Sequence, residues 1–267
     1  MVTQKDYSKI LVDAAQSVLL EVVRVLGEYQ NEIVVIGGWV PQLLIPQAQE
    51  RHVGSIDVDL AVNHQAVSEI GYETILEALT SRGYQKDEWQ PFIFYRSVVV
   101  DGEQIRVQVD LLAGEYGGTG RSRRTQIAQD TRFRKARGAD LVFHLPEKIR
   151  ITGKLPDGGQ DAAEIQVASL PTFIAMKAFA MKTRLKEKDP WDIYYCLKHY
   201  PGGLDKIIQE FRRICEHALA LEAISILAEK FGSIDAVGPV HVAVFEDVLD
   251  PEERAFYSGT PLNGCST

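Results

Sequence analysis

Gly54-Ser55-Ile56-Asp57-Val58-Asp59-Leu60-Ala61-Val62 is the stretch whose reading decides the fold. Ile56, Val58, Leu60 and Val62 fall on one side of an extended chain, and Asp57 and Asp59 fall on the other. That period of two predicts a half-buried strand with two carboxylates on its polar face, about 7 Å apart along the backbone. Upstream, Glu32-Ile33-Val34-Val35-Ile36 is a short β-branched run ending in Gly37-Gly38, which predicts a buried strand and then a tight turn. A short helix follows over 39–47, interrupted by Pro46. Downstream, residues 92–100 and 103–112 read as two strands joined at Asp101-Gly102, the two-residue hairpin signal. In the second of these, Ile105, Val107, Val109 and Leu111 share the apolar side, while Arg106, Gln108 and Asp110 share the polar one.

Farther out the pattern changes period. Residues 5–29 carry Ile10, Leu11, Ala14, Val18, Val22 and Val25 at spacings of three and four, an amphipathic helix. Residues 66–80 are also expected to be helical. Beyond a loop rich in Gly and Arg at 114–124, short strands are expected at 140–144, 148–152 and 164–168, with 153–159 as the best linker. From Leu170 onward the spacing is helical, over 170–186, 190–199, 204–218, 219–231 and 240–248. The expected organisation is α/β (α+β): a mixed-sheet core over 1–160 and a mainly helical domain over 161–267.

Composition removes several classes. Of 267 residues, 45% are hydrophobic and 25% charged, which is globular rather than disordered. The longest nearly apolar run, over 34–46, falls short of the roughly 20 residues of a membrane helix. The start of the chain has no basic segment followed by an apolar one, so no secretory signal is expected. Cys196, Cys215 and Cys265 are widely spaced and form no C-x-x-C, which argues against a disulfide framework and fits a reducing cytoplasm. The net charge of −8 hides a polarity. Between Arg121 and Arg150 nine basic residues meet three acids, and between Glu216 and Glu253 nine acids meet Lys230 alone. The acidic total argues against indiscriminate polyanion binding, whereas the basic segment suits contact with phosphates or simply solvates a loop.

The chemistry lies in the acids. If the strands bearing Asp57, Asp59 and Asp110 are neighbours, three carboxylates converge. An all-oxygen cluster suits Mg²⁺, and two ions about 4 Å apart would clamp the attacking and leaving oxygens of an in-line phosphoryl displacement. The Gly37-Gly38 turn offers backbone N–H groups to a triphosphate with no Cβ in the way.

The conjunction of an apolar strand, Gly-Gly, a short helix, Asp57-Val58-Asp59-Leu60 and a third acid at Asp110 resembles the nucleotidyltransferase superfamily of the DNA polymerase β type. More narrowly, the chain is similar to the AbiEii/AbiGii toxin family. Eighteen residues separate Gly38 from Asp57, a long gap similar to that branch. The branch's helical motif reads here Met176-Lys177-Ala178-Phe179-Ala180, Arg184, Lys188-Asp189-Pro190-Trp191-Asp192, so the likeness runs from about residue 31 to 200. Trp39 departs from it, standing where a small or hydroxyl residue is common.

The resemblance implies Mg²⁺-dependent transfer of NMP from NTP to an acceptor, either the 3′ end of a tRNA or a protein hydroxyl. It also implies a toxin role with a separate antitoxin. On this reading Asp57, Asp59 and Asp110 hold the metal ions, and Asp110 doubles as base for the acceptor hydroxyl. Gly37, Gly38 and Ser55 line the nucleotide, and Lys177, Arg184 and Lys188 face its phosphates from one side of a helix. Asp189 before Pro190 is expected first as a helix cap. His52 and the other five histidines show no metal spacing and are expected on the surface or in the core. Two rival readings remain: a non-catalytic nucleotide-sensing or protein-binding module, and a nucleotidyltransferase for an aminoglycoside-like small molecule.

Overall fold

The computed structural model describes residues 2–67, 74–116 and 124–247. These fall into two compact units. One takes Ser8–Leu43 and Gly54–Ser169; the other takes the described residues within Met1–Tyr7, Leu44–Val53 and Leu170–Thr267.

The first unit is a sheet of nine strands among the described residues: β1 (Ile33–Ile36), β2 (Asp57–Val62), β3 (Gln85–Lys86), β4 (Ile93–Val100), β5 (Glu103–Ala113), β6 (Thr125–Ala128), β7 (Thr131–Lys135), β8 (Glu147–Lys154) and β9 (Gln160–Val167). The order is β3-β4-β5-β2-β1-β9-β8, with β7 taking over beside the end of β5 where β4 stops, and β6 beside β7. β1–β2 and β4–β5 are antiparallel, and β2–β5 and β1–β9 are parallel. Helix α1 (Lys9–Val25) packs on one face, where Val58, Leu60, Phe94, Val107, Val109 and Leu111 are fully buried. Arg96 on that face forks onto Glu21 of α1 at 2.8 and 3.1 Å. Asp57, Asp59 and Asp110 occupy the opposite face, as the alternation requires.

The second unit is helical: α4 (Leu170–Thr183), α5 (Lys188–His199), α6 (Gly203–Arg212), α7 (Ala218–Lys230) and α8 (Val237–Phe245). Two shorter helices, α2 (Val40–Leu44) and α3 (Ile75–Ser81), connect strands of the sheet.

Several local expectations change. The helix expected over 5–29 breaks into α1 flanked by 3-10 turns at Gln4–Asp6 and Gly27–Tyr29, because Ser8 takes the N-cap position and Gly27 weakens the far end. The strand expected at 140–144 is a 3-10 turn, Leu141–Phe143. Gly138, at φ +87°, and Pro146 leave no room for extension there. The expected linker at 153–159 is a hairpin end: β8 and β9 pair from Glu147↔Val167 to Lys154↔Gln160, and the turn closes by Leu155 N–H on Gly159 O at 2.7 Å. Part of the helix expected over 66–80 lies outside the described residues. Its remainder is α3, opened by a capping box of Thr74 and Glu77.

Trp39 explains its own departure from small residues. It is 1% exposed, and its indole N–H donates to Asp57 O at 2.7 Å. The ring thereby ties the Gly-Gly turn to the start of β2. Trp39→Ala should destabilise the chain by about 3–5 kcal/mol, the range for deleting a buried aromatic. Trp39→Phe should cost about 1–2 kcal/mol through the orphaned carbonyl. Urea denaturation of the two variants checks the order; equal losses would remove the hydrogen bond's share.

Candidate active site

The register of β2 against β5 assembles the acids. Asp59 lies directly opposite Asp110, and Asp57 opposite Gln108, on neighbouring parallel strands roughly 4.8 Å apart. Asp57 and Asp59 are half-buried and Asp110 is buried. Gln108, two residues before Asp110 and on the same face, donates its Nε2 to Asp110 Oδ2 at 3.0 Å. Ser55 Oγ donates to Asp57 Oδ1 at 2.5 Å. Among the described residues no three His, Cys, Asp or Glu side chains stand close enough to cage a metal ion by themselves.

The glycine turn abuts the same acids. β1 runs antiparallel to β2 with Ile36 opposite Asp59, so Gly37 leaves β1 at the level of the second carboxylate. Gly37 has φ +71°, and a Cβ placed on it would lie 2.8 Å from Asp59 Cγ, an overlap that real Cβ atoms do not show. Only glycine satisfies both the left-handed backbone and this close approach. Gly37, Gly38, Ser55, Asp57 and Asp59 are therefore gathered where β1 ends and β2 begins, with Asp110 beside them on β5.

The cationic motif lies in the helical unit and is occupied by internal partners. Lys177 Nζ is 2.8 Å from Asp189 Oδ1 and 2.6 Å from Asp192 Oδ2. Arg184 forks onto Asp189 through Nε and Nη2 at 2.8 and 3.0 Å. Lys188 Nζ reaches Asp192 Oδ1 at 2.6 Å, and His52 Nε2 meets the same oxygen at 2.8 Å. Lys177, Lys188, Asp189, Asp192 and His52 are all buried, whereas half of the Arg184 side chain is exposed. Asp189 is thus no cap. Glu187 holds the N-cap position, and Asp189 sits inside α5 with both oxygens on cations. Sequence pattern carries no sign of His52, whose ring rests between Trp191 and Tyr195 at 4.9 Å from each.

Burial would lift the Asp189 carboxyl, but Lys177 and Arg184 outweigh it and hold it at about 2. Asp192 is likewise held low, with Lys177 and Lys188 overcoming its burial. Because ionised Asp192 only accepts, the bonded His52 nitrogen carries the proton. Burial first, and then the Lys188 charge, push the His52 pKa down to about 4 against the pull of Asp192.

Removing one partner of such a network strands a buried charge. Lys177→Met should cost about 3–5 kcal/mol and Arg184→Met clearly less, since half of that side chain is already in water. The histidine adds a pH signature. Between an unfolded pKa of 6.5 and a folded one of about 4, the unfolded chain binds the extra proton. The histidine's contribution is therefore complete above pH 6.5 and is lost as pH falls toward 4, a change on the order of 3 kcal/mol. His52→Gln should flatten urea-denaturation stability over that window; an unchanged slope would assign the titration elsewhere.

A family model described as nucleotidyl transferase AbiEii toxin, type IV TA system, matches residues 48–255. A search of curated proteins finds no match. The matched span holds Asp57, Asp59, Asp110 and the whole cationic motif, and Gly37-Gly38 precede it. Among the described residues no helix is long and apolar enough to cross a membrane. With well over half of its length matched, and with the acids and helical motif inside that span, the chain belongs to the AbiEii family of nucleotidyl transferase toxins, which work in type IV toxin–antitoxin systems beside a separate antitoxin.

Proposed function

We propose that this nucleotidyltransferase acts in the cytoplasm and moves a nucleoside monophosphate from an NTP onto a hydroxyl of RNA, the 3′ end of a tRNA being the leading acceptor. The observation that carries the reading is the side-by-side placement of Asp59 and Asp110 with the Gly37 backbone against Asp59. The acceptor oxygen bonds to the α-phosphorus, the bond to the β-phosphate oxygen breaks, and pyrophosphate leaves with its electron pair. Asp110, steadied by Gln108, takes the acceptor's proton. The Gly37-Gly38 turn lets phosphate oxygens approach backbone N–H groups.

The donor set fits Mg²⁺, because every candidate ligand is a carboxylate oxygen. No three acids among the described residues cage an ion unaided, so Asp57, Asp59 and Asp110 would hold it together with the substrate's own phosphates. Bound there, one ion or two supply neutralisation of the triphosphate and of the charge that grows on the α-phosphoryl group. In the helical motif, the half-exposed Arg184 is assigned the phosphate contact. Lys177 is assigned the upkeep of Asp189, the carboxylate that orients it, and Lys188 that of Asp192.

The basic segment supports an RNA acceptor in part. β7 adjoins β5 with Leu112 opposite Arg134, so Arg134 and Arg132 share the face of Asp110. Lys148 and Arg150 lie on β8 at the far edge of the sheet, and Arg137 is paired with Glu115 at 2.9 Å. Arg121 and Arg123 lie outside the described residues.

Transfer of label from each α-³²P-NTP into purified tRNA and into total protein tests the reading. Asp59→Asn should lower transfer by at least about 10²-fold, the scale of losing one electrostatic stabiliser, with stability changed by no more than about 0.5 kcal/mol. Gly37→Ala should abolish transfer. Chelation should stop it and Mg²⁺ restore it. Undiminished transfer by Asp59→Asn would overturn the assignment.

A further inference from the structure

The carboxylate face continues past the acids in both directions along β5. Toward its start, Gln108 lies opposite Tyr95 of β4, and Arg106 lies two residues farther on the same face. Arg106 and Tyr95 are diagonal neighbours across the antiparallel pair, and the guanidinium carbon of Arg106 sits 3.6 Å from the centre of the Tyr95 ring. Arg106 is exposed and has no carboxylate partner among the described residues. Toward the end of β5, Arg134 stands beside Leu112 with its guanidinium 5.8 Å from the Phe92 ring, and Arg132 is exposed two residues away on the same face. Neither has a carboxylate partner among the described residues.

This is an unusual arrangement for arginines on a face that also holds three acids, where ion pairs would normally form. Arg96 shows the ordinary outcome on the opposite face, fully forked onto Glu21. Arg106 instead sits over an aromatic ring and stays exposed, so its donors are open to a phosphate. From Arg106 to Asp110 the strand runs about 13 Å, and Arg134 lies one strand over and about 7 Å beyond. The acids thus sit in the middle of a lane with cations and aromatic rings at both ends. A chain of phosphates carrying unstacked bases matches that order of charge and ring.

We infer that this lane, from Tyr95–Arg106 past Gln108 to Arg132–Arg134, docks single-stranded RNA, with a base stacked at Tyr95–Arg106 and phosphates taken by the three arginines. The inference deepens the proposed function and rests on it for the identity of the acceptor.

The test is binding of a fluorescein-labelled single-stranded RNA of about twelve nucleotides. It is followed by anisotropy without NTP across a salt titration, beside the tRNA and NTP KM values for transfer. Arg106→Ala, at an exposed site, keeps the fold. It should weaken RNA binding on the order of ten-fold, flatten the log–log salt slope by about 0.7, and raise the tRNA KM while leaving the NTP KM unchanged. Arg132→Ala/Arg134→Ala should act in the same direction. Lys148→Ala/Arg150→Ala removes as much charge at the far edge of the sheet and should change binding little. Equal weakening by Arg106→Ala and this control, or none by either, would overturn the lane while leaving RNA transfer intact. If the wild type labels protein and no RNA, the acceptor reading fails; RNA binding lost in Arg106→Ala would then still sustain the lane, and absence of RNA binding would overturn it.

Discussion

The parallel pairing of β2 with β5 is the constraint on which the site depends. It sets Asp59 beside Asp110 and Asp57 beside Gln108. A slip of one residue would turn every one of these side chains to the face covered by α1. That face is lined by Val58, Leu60, Val107, Val109 and Leu111, all fully buried, so the apolar side holds the register and the polar side inherits it. Gly37 then closes against Asp59 because β1 is locked to the other edge of β2, and Trp39 fastens the turn to the backbone of Asp57. The placement of the acids and the packing of the core are in this sense the same fact seen from two sides of one sheet.

The helical unit works by the opposite principle. It holds two carboxylates, two ammonium groups, one guanidinium and a neutral imidazole, which pair with one another. Such a cluster adds little net stability over an apolar core, but it tolerates one arrangement. The direction of Arg184 is fixed by Asp189, whose position is fixed in turn by Lys177. His52 brings residues from between the glycine turn and β2 into this cluster, because Leu44–Val53 belongs to the helical unit.

Alternation along β2 and β5 was enough to read which way Asp57, Asp59 and Asp110 face, and Asp101-Gly102, with φ of +51° and +85°, marked the β4–β5 hairpin. That β2 lies beside β5 is not written in either strand, since parallel neighbours are joined by no turn. The spacing of Lys177 and Arg184 read them as one helix face, but α4 ends at Thr183, Arg184 follows just beyond it, and their acids come from the next helix. A local rule therefore read Asp189 as a cap when tertiary pairing had claimed it. His52 carried no signal, because its partners are 139 or more positions away in sequence. Arg106 was legible on the polar face of its strand, but its contact with Tyr95 needs the diagonal that only the hairpin register supplies. The β6–β7 hairpin turns at Gln129-Asp130 without a glycine, so its usual mark was missing.

The register of β2 and β5 also governs when the chain becomes dangerous to its host. Asp59 and Asp110 stand fifty-one positions apart and meet through a parallel pair, a contact that no local hairpin can nucleate. Pairings of this kind form late and slowly in folding, after the entropy of closing the intervening loop has been overcome. During synthesis the two acids cannot meet until the chain past Ala113 has left the ribosome. The topology of the sheet thus builds in a delay, and the carboxylate site of the nascent chain is incomplete for as long as β2 and β5 are unpaired.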